Sequence, residues 1–313
     1  MSEEHIIGLD IGGTKTAVVR GTTKGEILSR IEFPTLVGDP FQGYFKKLFD
    51  TISEVLHASD RRPGAISVSI GGPLDVLEGI ILSPPNLPGW VKIPFKKILR
   101  DKFALPVYIE HDGNAGALAE YYFGAGRGAK SVVFLTLGTG LGAGLILDGR
   151  LYRGASYVAG EIGHIRIADD GPDSYGKRGS MEGYCSGNGL EKLSTMMFPE
   201  RWPVPIPARE LADLARKGDA QALAVLDTSG RYLGRAFAIL ADLINPDKII
   251  LGALGVRLGS LILEPAMEVF RKEALREAFD ACEIVPAELG EKIGDIAALC
   301  AALDQGGMRS SRY

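Results

Sequence analysis

The sequence predicts an α/β protein made of two similar halves, and three observations carry that prediction. Strand-like and helix-like runs alternate along the chain. One supersecondary unit, a strand, a glycine-rich loop, a second strand, a tight turn and a third strand, occurs twice. The 313 residues are 46% hydrophobic, which supplies core for about two domains and excludes disorder as the main character.

The first copy opens with an apolar strand over residues 5–10, breaks at Gly12-Gly13, resumes over 16–20, turns at Lys24-Gly25 and resumes over 26–33. Helical periodicity follows over 41–57, 95–103 and 115–123, with strands over 66–70 and 107–110 between them. The second copy runs as a strand over 131–137, the loop Gly138-Thr139-Gly140-Leu141-Gly142, a strand over 143–147, an Asp148-Gly149 hairpin turn and a strand over 150–152. The Pro-rich stretch 202–207 reads as a loop between helices. Helices over 220–244 and 261–279 flank a strand over 248–251, and a last helix covers 291–302. The domain change is placed near 112–114. This gives an N-terminal α/β domain over 1–113, a larger C-terminal α/β domain over 114–290, and a final segment, 291–313, that packs back onto the first.

Thirty-five Lys and Arg stand against thirty-nine Asp and Glu, so the chain carries a formal charge of −4. That balance offers no footprint for a nucleic-acid backbone. Cys185, Cys282 and Cys300 are odd in number and far apart, which suits a reducing compartment better than a disulfide framework. The start MSEEH lacks the layout of a signal peptide, and no apolar run approaches the ~18 residues of a membrane span. A cytoplasmic protein without a membrane partner is expected.

Neither glycine loop matches a phosphate loop that opens a helix. Lys15 is followed by a strand, which excludes the Walker A arrangement, and Gly138, Gly140 and Gly142 also open a strand, which disfavours a dinucleotide fingerprint. What remains is a strand-turn-strand loop whose unhindered N–H groups approach phosphate oxygens, with the Thr14 or Thr139 hydroxyl beside them. A tight hairpin with no ligand is the plain alternative for either loop alone; their duplication favours the phosphate reading. Asp10 ends an apolar strand next to such a loop, a place suited to holding Mg²⁺ directly or through water, or to capping the loop. Asp112, between a strand and a helix, is on its own equally an N-cap.

Leu9-Asp10-Ile11-Gly12-Gly13-Thr14-Lys15, Pro85-Asn86-Leu87-Pro88-Gly89-Trp90, Glu110-His111-Asp112-Gly113-Asn114, residues 137–144, and Gly160-Glu161-Ile162-Gly163-His164 stand in this order over nearly the whole chain. In order and spacing they resemble the ROK family of sugar kinases and sugar-responsive repressors, within the actin-like ATPase (ribonuclease H-like) superfamily. The resemblance implies two α/β domains around a central cleft and a homodimer. It implies ATP held by Asp10, Gly12, Gly13, Thr14 and Lys15 and by Gly138, Thr139, Gly140 and Gly142, with Gly252 at the adenosine pocket and Mg²⁺ at Asp10. It makes Asp112 the general base that takes the proton of the attacking sugar hydroxyl, and assigns sugar contacts to Asn86, His111, Asp112, Glu161, His164 and Glu182.

The chain departs from that pattern in three places. Family members commonly bind a structural Zn²⁺ through the Gly-His histidine and a Cys-x-Cys-Gly-x-x-Gly-Cys-x-Glu segment. Here the segment is Asp173-Ser174-Tyr175-Gly176-Lys177-Arg178-Gly179-Ser180-Met181-Glu182, without the cysteines, so no zinc is expected. His111 stands where the family usually has Asn, which leaves the preferred hexose open. Leu251-Gly252-Ala253 replaces a Gly-Gly pair.

The expected activity is an ATP- and Mg²⁺-dependent hexose kinase, with glucose converted to glucose 6-phosphate. The alternative acceptors are N-acetylmannosamine, N-acetylglucosamine and fructose, and polyphosphate is an alternative donor. A non-catalytic sugar-binding regulator of the same family carries a helix-turn-helix segment ahead of the first glycine motif. Only seven residues precede Gly8 here, and the base is retained. A filament- or chaperone-type ATPase would leave Glu161, His164 and Glu182 without a role.

Overall fold

The computed structural model describes residues 4–35 and 42–308. Phe41, where the first helix was expected to begin, lies outside that range. The chain forms two compact units, Met1–Phe123 with Glu291–Tyr313, and Gly124–Gly290.

The strands of the first unit are β1 (His5–Ile11), β2 (Lys15–Thr22), β3 (Ile27–Pro34), β4 (Ala65–Ile70), the small hairpin β5 (Leu74–Asp75) and β6 (Ile80–Ile81), and β7 (Val107–His111). Among the described residues the main sheet has the order β3-β2-β1-β4-β7. The first three strands form an antiparallel meander, and β4 and β7 add in parallel. Every residue of β4 is buried, as expected of a strand covered on both faces. One face carries the helices Gln42–His57 and Phe95–Phe103, whose Tyr44, Leu48, Ile52, Phe95 and Leu99 join Leu9, Val18 and Val68 in one core. The final helix Ile293–Gln305 packs on β1, β4 and the helix Asp112–Phe123. Its small residues bring it close: a Cβ on Gly8 would lie 3.0 Å from the Ala298 Cβ.

The second unit repeats the plan. Its strands are β8 (Val132–Leu135), β9 (Ala143–Leu147), β10 (Arg150–Leu151), the hairpin β11 (Asp173–Ser174) and β12 (Lys177–Arg178), β13 (Lys248–Leu251) and β14 (Glu283–Pro286). The sheet order is β10-β9-β8-β13-β14, again an antiparallel meander extended by two parallel strands. The two sheets therefore share one order and one set of strand directions. Asp148 and Gly149 both have positive φ, 48° and 76°, the conformation a two-residue hairpin turn demands. The long helix Ala220–Ile244 is capped by Asp219, which accepts from the Gln221 and Ala222 N–H groups at 3.1 and 3.0 Å. It packs along Ser260–Glu273.

Two expectations are corrected. The division falls after Phe123, not near 112–114, because the helix Asp112–Phe123 is bound to the final helix and stays with the first sheet. The helix expected over 261–279 is two helices, Ser260–Glu273 and Arg276–Ala281. Ala274 turns extended, ψ 151°, and the freed Leu275 N–H donates to Asp242 Oδ1 at 3.0 Å. The helix Met181–Cys185 was not anticipated, and Gly187–Met197 and Ala208–Arg216 are the helices on either side of the Pro-rich loop. Among the described residues no helix is long and apolar enough to cross a membrane.

Candidate active site

In the first unit the parallel strands β1, β4 and β7 end level, Ile11 beside Ile70 and Ile70 beside His111. Open α/β sheets bind ligands beyond such carboxyl ends, and Asp10, Asn86, His111 and Asp112 collect there. Backbone approaches fix Asn86 among them. A Cβ on Gly13 would lie 2.5 Å from the Asn86 carbonyl oxygen, and one on Gly71 would lie 3.3 Å from Asn86 Nδ2 and 3.6 Å from Asp112 Oδ2.

The first glycine loop is a hairpin turn: the Gly12 N–H donates to the Lys15 carbonyl at 3.0 Å, and the Thr35 hydroxyl donates to the Gly12 carbonyl at 2.7 Å. Thr14 and Lys15 are exposed at its tip, with Lys15 Nζ paired to Glu32 at 3.0 Å. Asp10 lies beneath it, against the start of the final helix, where a Cβ on Gly294 would come within 2.6 Å of Asp10 Oδ2. Burial, then the charges of Asp112 and Asp295, push the Asp10 carboxyl up to about 6, and Lys15 and Arg30 offset this only in part. Arg30 itself is held by Asp295 at 2.9 Å.

Asp112 opens its helix with a side chain that is 57% exposed. Its Oδ1 accepts the Gly113 N–H at 2.7 Å and lies 3.1 Å from His111 Nδ1. Desolvation acts to raise its carboxyl; the His111 contact and the backbone donors outweigh that and hold it below the usual carboxylate range. Asp112 is thus an ionised, reachable acceptor.

A residue with no role assigned from sequence supports this turn. Glu110 is fully buried; its Oε1 accepts from the His111 N–H and from Asn114 Nδ2, both at 3.0 Å, and its Oε2 accepts from Gln305 Nε2 at 3.2 Å. The signal in the sequence is a lone carboxylate in a mostly apolar strand, two residues before the proposed base.

In the second unit the loop after β8 closes on itself, with the Gly142 N–H donating to Thr136 Oγ1 and the Thr136 N–H to the Gly142 carbonyl, both at 3.0 Å. The first turn of the helix Gly187–Met197 docks on it through Gly187 N–H to Gly138 carbonyl, 2.8 Å, and Asn188 N–H to Thr139 carbonyl, 3.2 Å. Glu182, 8% exposed, binds the loop from below: its Oε2 accepts the Leu141 N–H at 2.9 Å, and its Oε1 accepts the Ser174 hydroxyl. The turn Glu161–His164 sits on the same loop, because Gly160 packs on the Ala143 carbonyl and Gly163 on the Leu141 carbonyl. Gly138, Thr139, Gly140, Gly142, Glu161, His164 and Glu182 therefore come together, with the Glu161 and His164 side chains exposed. Gly252 donates its N–H to the Leu135 carbonyl at 2.8 Å, and the residues after it, Ala253 and Leu254, line a cavity of about 780 Å³ with Gly138, Thr139, Asn188 and Arg257. That volume is within the range of small-molecule pockets.

The family model described as the ROK family matches residues 6–305. This chain belongs to the ROK family. It is 33% identical to a glucokinase of Halalkalibacterium halodurans, over 95% of this chain and 94% of that protein. It is 30% identical to a xylose repressor of Caldicellulosiruptor bescii, over 92% of this chain and 75% of the repressor. Among solved structures, a ROK family glucokinase from Streptomyces griseus in complex with glucose and AMPPNP superposes with a TM-score of 0.75. It is 32% identical, over 97% of this chain and all of that one. The fold is that of the ROK kinases.

This ROK chain holds the segment that carries Glu182 by contacts between side chains and backbone. The Tyr175 ring, at a position where the family pattern has cysteine, stacks on the His164 ring with centroids 4.8 Å apart and planes 24° from parallel. Lys177 Nζ donates to the His164 carbonyl at 2.6 Å, the Ile167 N–H to the Gly179 carbonyl at 2.9 Å, and Arg178 pairs with Asp170 at 2.8 Å. Ser180, at another cysteine position, caps the helix that presents Glu182 by accepting the Gly183 N–H at 3.1 Å.

Proposed function

We propose that this ROK protein is an ATP-dependent hexose kinase that transfers the γ-phosphate to a sugar hydroxyl, with glucose as acceptor and glucose 6-phosphate as product. The observation that carries the reading is Asp112, a carboxylate held ionised at a strand end with its side chain open to solvent. A base so placed accepts the proton of an attacking hydroxyl, a contribution of about 10²- to 10⁴-fold. The kinship to glucokinases supports the acceptor.

Each unit by itself carries groups suited to such a reaction. The second presents the N–H groups of the 138–142 loop to phosphate oxygens, the neighbouring cavity to the nucleoside, and Glu161 and His164 to sugar hydroxyls, whose recognition is strict because a missing hydroxyl leaves its partner unpaired. The first supplies the base, Asn86, and the Asp10 to Lys15 loop for the phosphates. Among the described residues no group of three or more His, Cys, Asp or Glu is arranged to hold a metal ion alone. Asp10 nevertheless fits Mg²⁺: it is a half-buried acid whose carboxyl feels the charges of Asp112 and Asp295, and Mg²⁺ characteristically takes one or two carboxylates, waters and substrate phosphates. Bound there through water, Mg²⁺ would neutralise charge on the transferring phosphates.

The reading includes a homodimer, tested by sedimentation, and a cytoplasmic enzyme without a nucleic-acid partner. The xylose repressor among the relatives keeps a second reading in view, a regulator that binds sugar without turnover. A coupled ADP-release screen separates them: glucose, mannose, fructose, N-acetylglucosamine and N-acetylmannosamine are each offered with Mg²⁺ and either ATP or polyphosphate. ADP release stimulated by glucose supports the kinase; calorimetric sugar binding without turnover on any acceptor identifies the regulator.

A further inference from the structure

We infer that His111 serves the base and not the sugar: its Nδ1–H and the Gly113 N–H together saturate Asp112 Oδ1, leaving Oδ2 as the atom that takes the hydroxyl proton. The inference rests on Asp112 being the base.

The ionised carboxylate is the reason Nδ1 is assigned the hydrogen. His111 Nδ1 is 3.1 Å from Asp112 Oδ1, and an ionised carboxylate oxygen only accepts, so Nδ1 is the donor. The Gly113 N–H reaches both Asp112 Oδ1, at 2.7 Å, and His111 Nδ1, at 3.4 Å, and the charged oxygen is the nearer and stronger acceptor. The opposite edge of the imidazole is turned onto backbone: a Cβ on Gly72 would be 2.7 Å from both Cδ2 and Nε2. The ring is thus wedged between Gly72 and the carboxylate, and it is less exposed than the carboxylate it holds, 35% against 57%. Asp112 Oδ2 lies on the Gly71 side, toward Asn86.

In the transfer step the acceptor oxygen bonds to the γ-phosphorus as the bond from that phosphorus to its bridging oxygen breaks. The electron pair of the broken bond leaves on ADP, and the hydroxyl proton passes to Oδ2. His111 keeps its own proton throughout, so no further reactant is needed. With Oδ1 occupied by two donors, the carboxylate cannot rotate to present the wrong oxygen. His111 is therefore a positioning residue.

A double-mutant cycle tests this. His111→Ala is expected to lower kcat about 10- to 100-fold while the glucose KM stays within about twofold. His111→Asn, whose amide nitrogen can stand near the Nδ1 position, is expected to regain most of the loss. In an Asp112→Asn background His111→Ala should cost nothing more, because the acceptor carboxylate is gone. Melting temperature and calorimetric glucose binding of each variant control for folding, and His111→Asn carries the test if the Ala variant does not fold. A glucose KM raised more than about tenfold with kcat retained overturns the inference, as do equal kcat losses in the Ala and Asn variants, or equal costs in both backgrounds. If Asp112→Asn itself retains wild-type kcat, the base reading falls; if it is inactive and His111→Ala spares kcat, only the role of His111 falls.

Discussion

Glu182 Oε2 accepts the Leu141 N–H at 2.9 Å, so a carboxylate expected to serve the sugar is built into the loop expected to serve the phosphates. Its other oxygen is taken by Ser174. Replacing it leaves a buried N–H unpaired, a cost of about 1–3 kcal/mol, and frees the loop. Glu182→Ala should therefore weaken ATP binding by about tenfold even when no sugar is present, as read by calorimetric titration of the sugar-free protein. An effect confined to sugar affinity would show that the hydrogen bond to Leu141 is idle.

The first loop makes a sharper steric case. A Cβ on Gly13 meets the Asn86 carbonyl at 2.5 Å, and backbone cannot step aside as a side-chain tip can, whereas a Cβ on Gly43 meets nothing within 4 Å. Gly13→Ala should force the loop from the Asn86 turn and lower kcat/KM by at least about tenfold, since small displacements of positioned groups are costly. Gly43→Ala, in a helix, should leave kcat/KM unchanged and raise the melting temperature slightly. Comparable activity in the two variants would separate the Gly13 contact from catalysis.

In the segment that carries Glu182, the stack of Tyr175 on His164 stands where the family pattern supplies metal ligands. Tyr175→Ala should raise the glucose KM several-fold, with a smaller effect on kcat, by releasing His164. Purified wild type should hold no stoichiometric zinc, and incubation with a chelator should leave its melting temperature unchanged. Zinc at one ion per chain by elemental analysis would return the segment to the common family arrangement.

Several of these relationships were legible beforehand, for reasons that differ. The two meanders could be read because glycine pairs and the Asp148-Gly149 turn interrupt apolar runs at strand length, and the repetition already implied two like sheets. Asp112 could be placed at a strand end because an apolar strand stops just before it. The extent of the first unit could not be read, since the helix Asp112–Phe123 belongs where it packs, and its partner lies some 180 residues away, where Tyr122 meets Asp304. The bounds of Gly187–Met197 could not be read because Gly-Asn-Gly argues against a helix; the usable signal was Ser186, which accepts the Gly189 N–H at 3.0 Å as its N-cap. Glu110 and the donors on Asp112 depend on burial and on atoms brought together by folding, and no spacing of residue types reports either.

Asp10 should show the cost of keeping an acid where a metal is wanted. Burial, and then Asp112 and Asp295, raise its carboxyl from 3.8 to about 6 against the pull of Lys15 and Arg30. A carboxyl that protonates more readily in the folded chain than in the unfolded one destabilises the fold wherever it must ionise. The penalty is absent below about pH 4, grows between 4 and 6, and is complete above 6. Asparagine carries no such penalty. In metal-free buffer at pH 7.5, Asp10→Asn should therefore be more stable than wild type by on the order of 1–3 kcal/mol, and the gap should close as the pH falls through 6 toward 4. Mg²⁺ with ATP should then stabilise the wild type more than the variant, and the variant should lose most of its turnover. Thermal melts across that pH range decide the matter: a variant less stable at pH 7.5, or a gap that does not change with pH, would mean that Asp10 is compensated by its cationic neighbours and has no charge left to offer a metal.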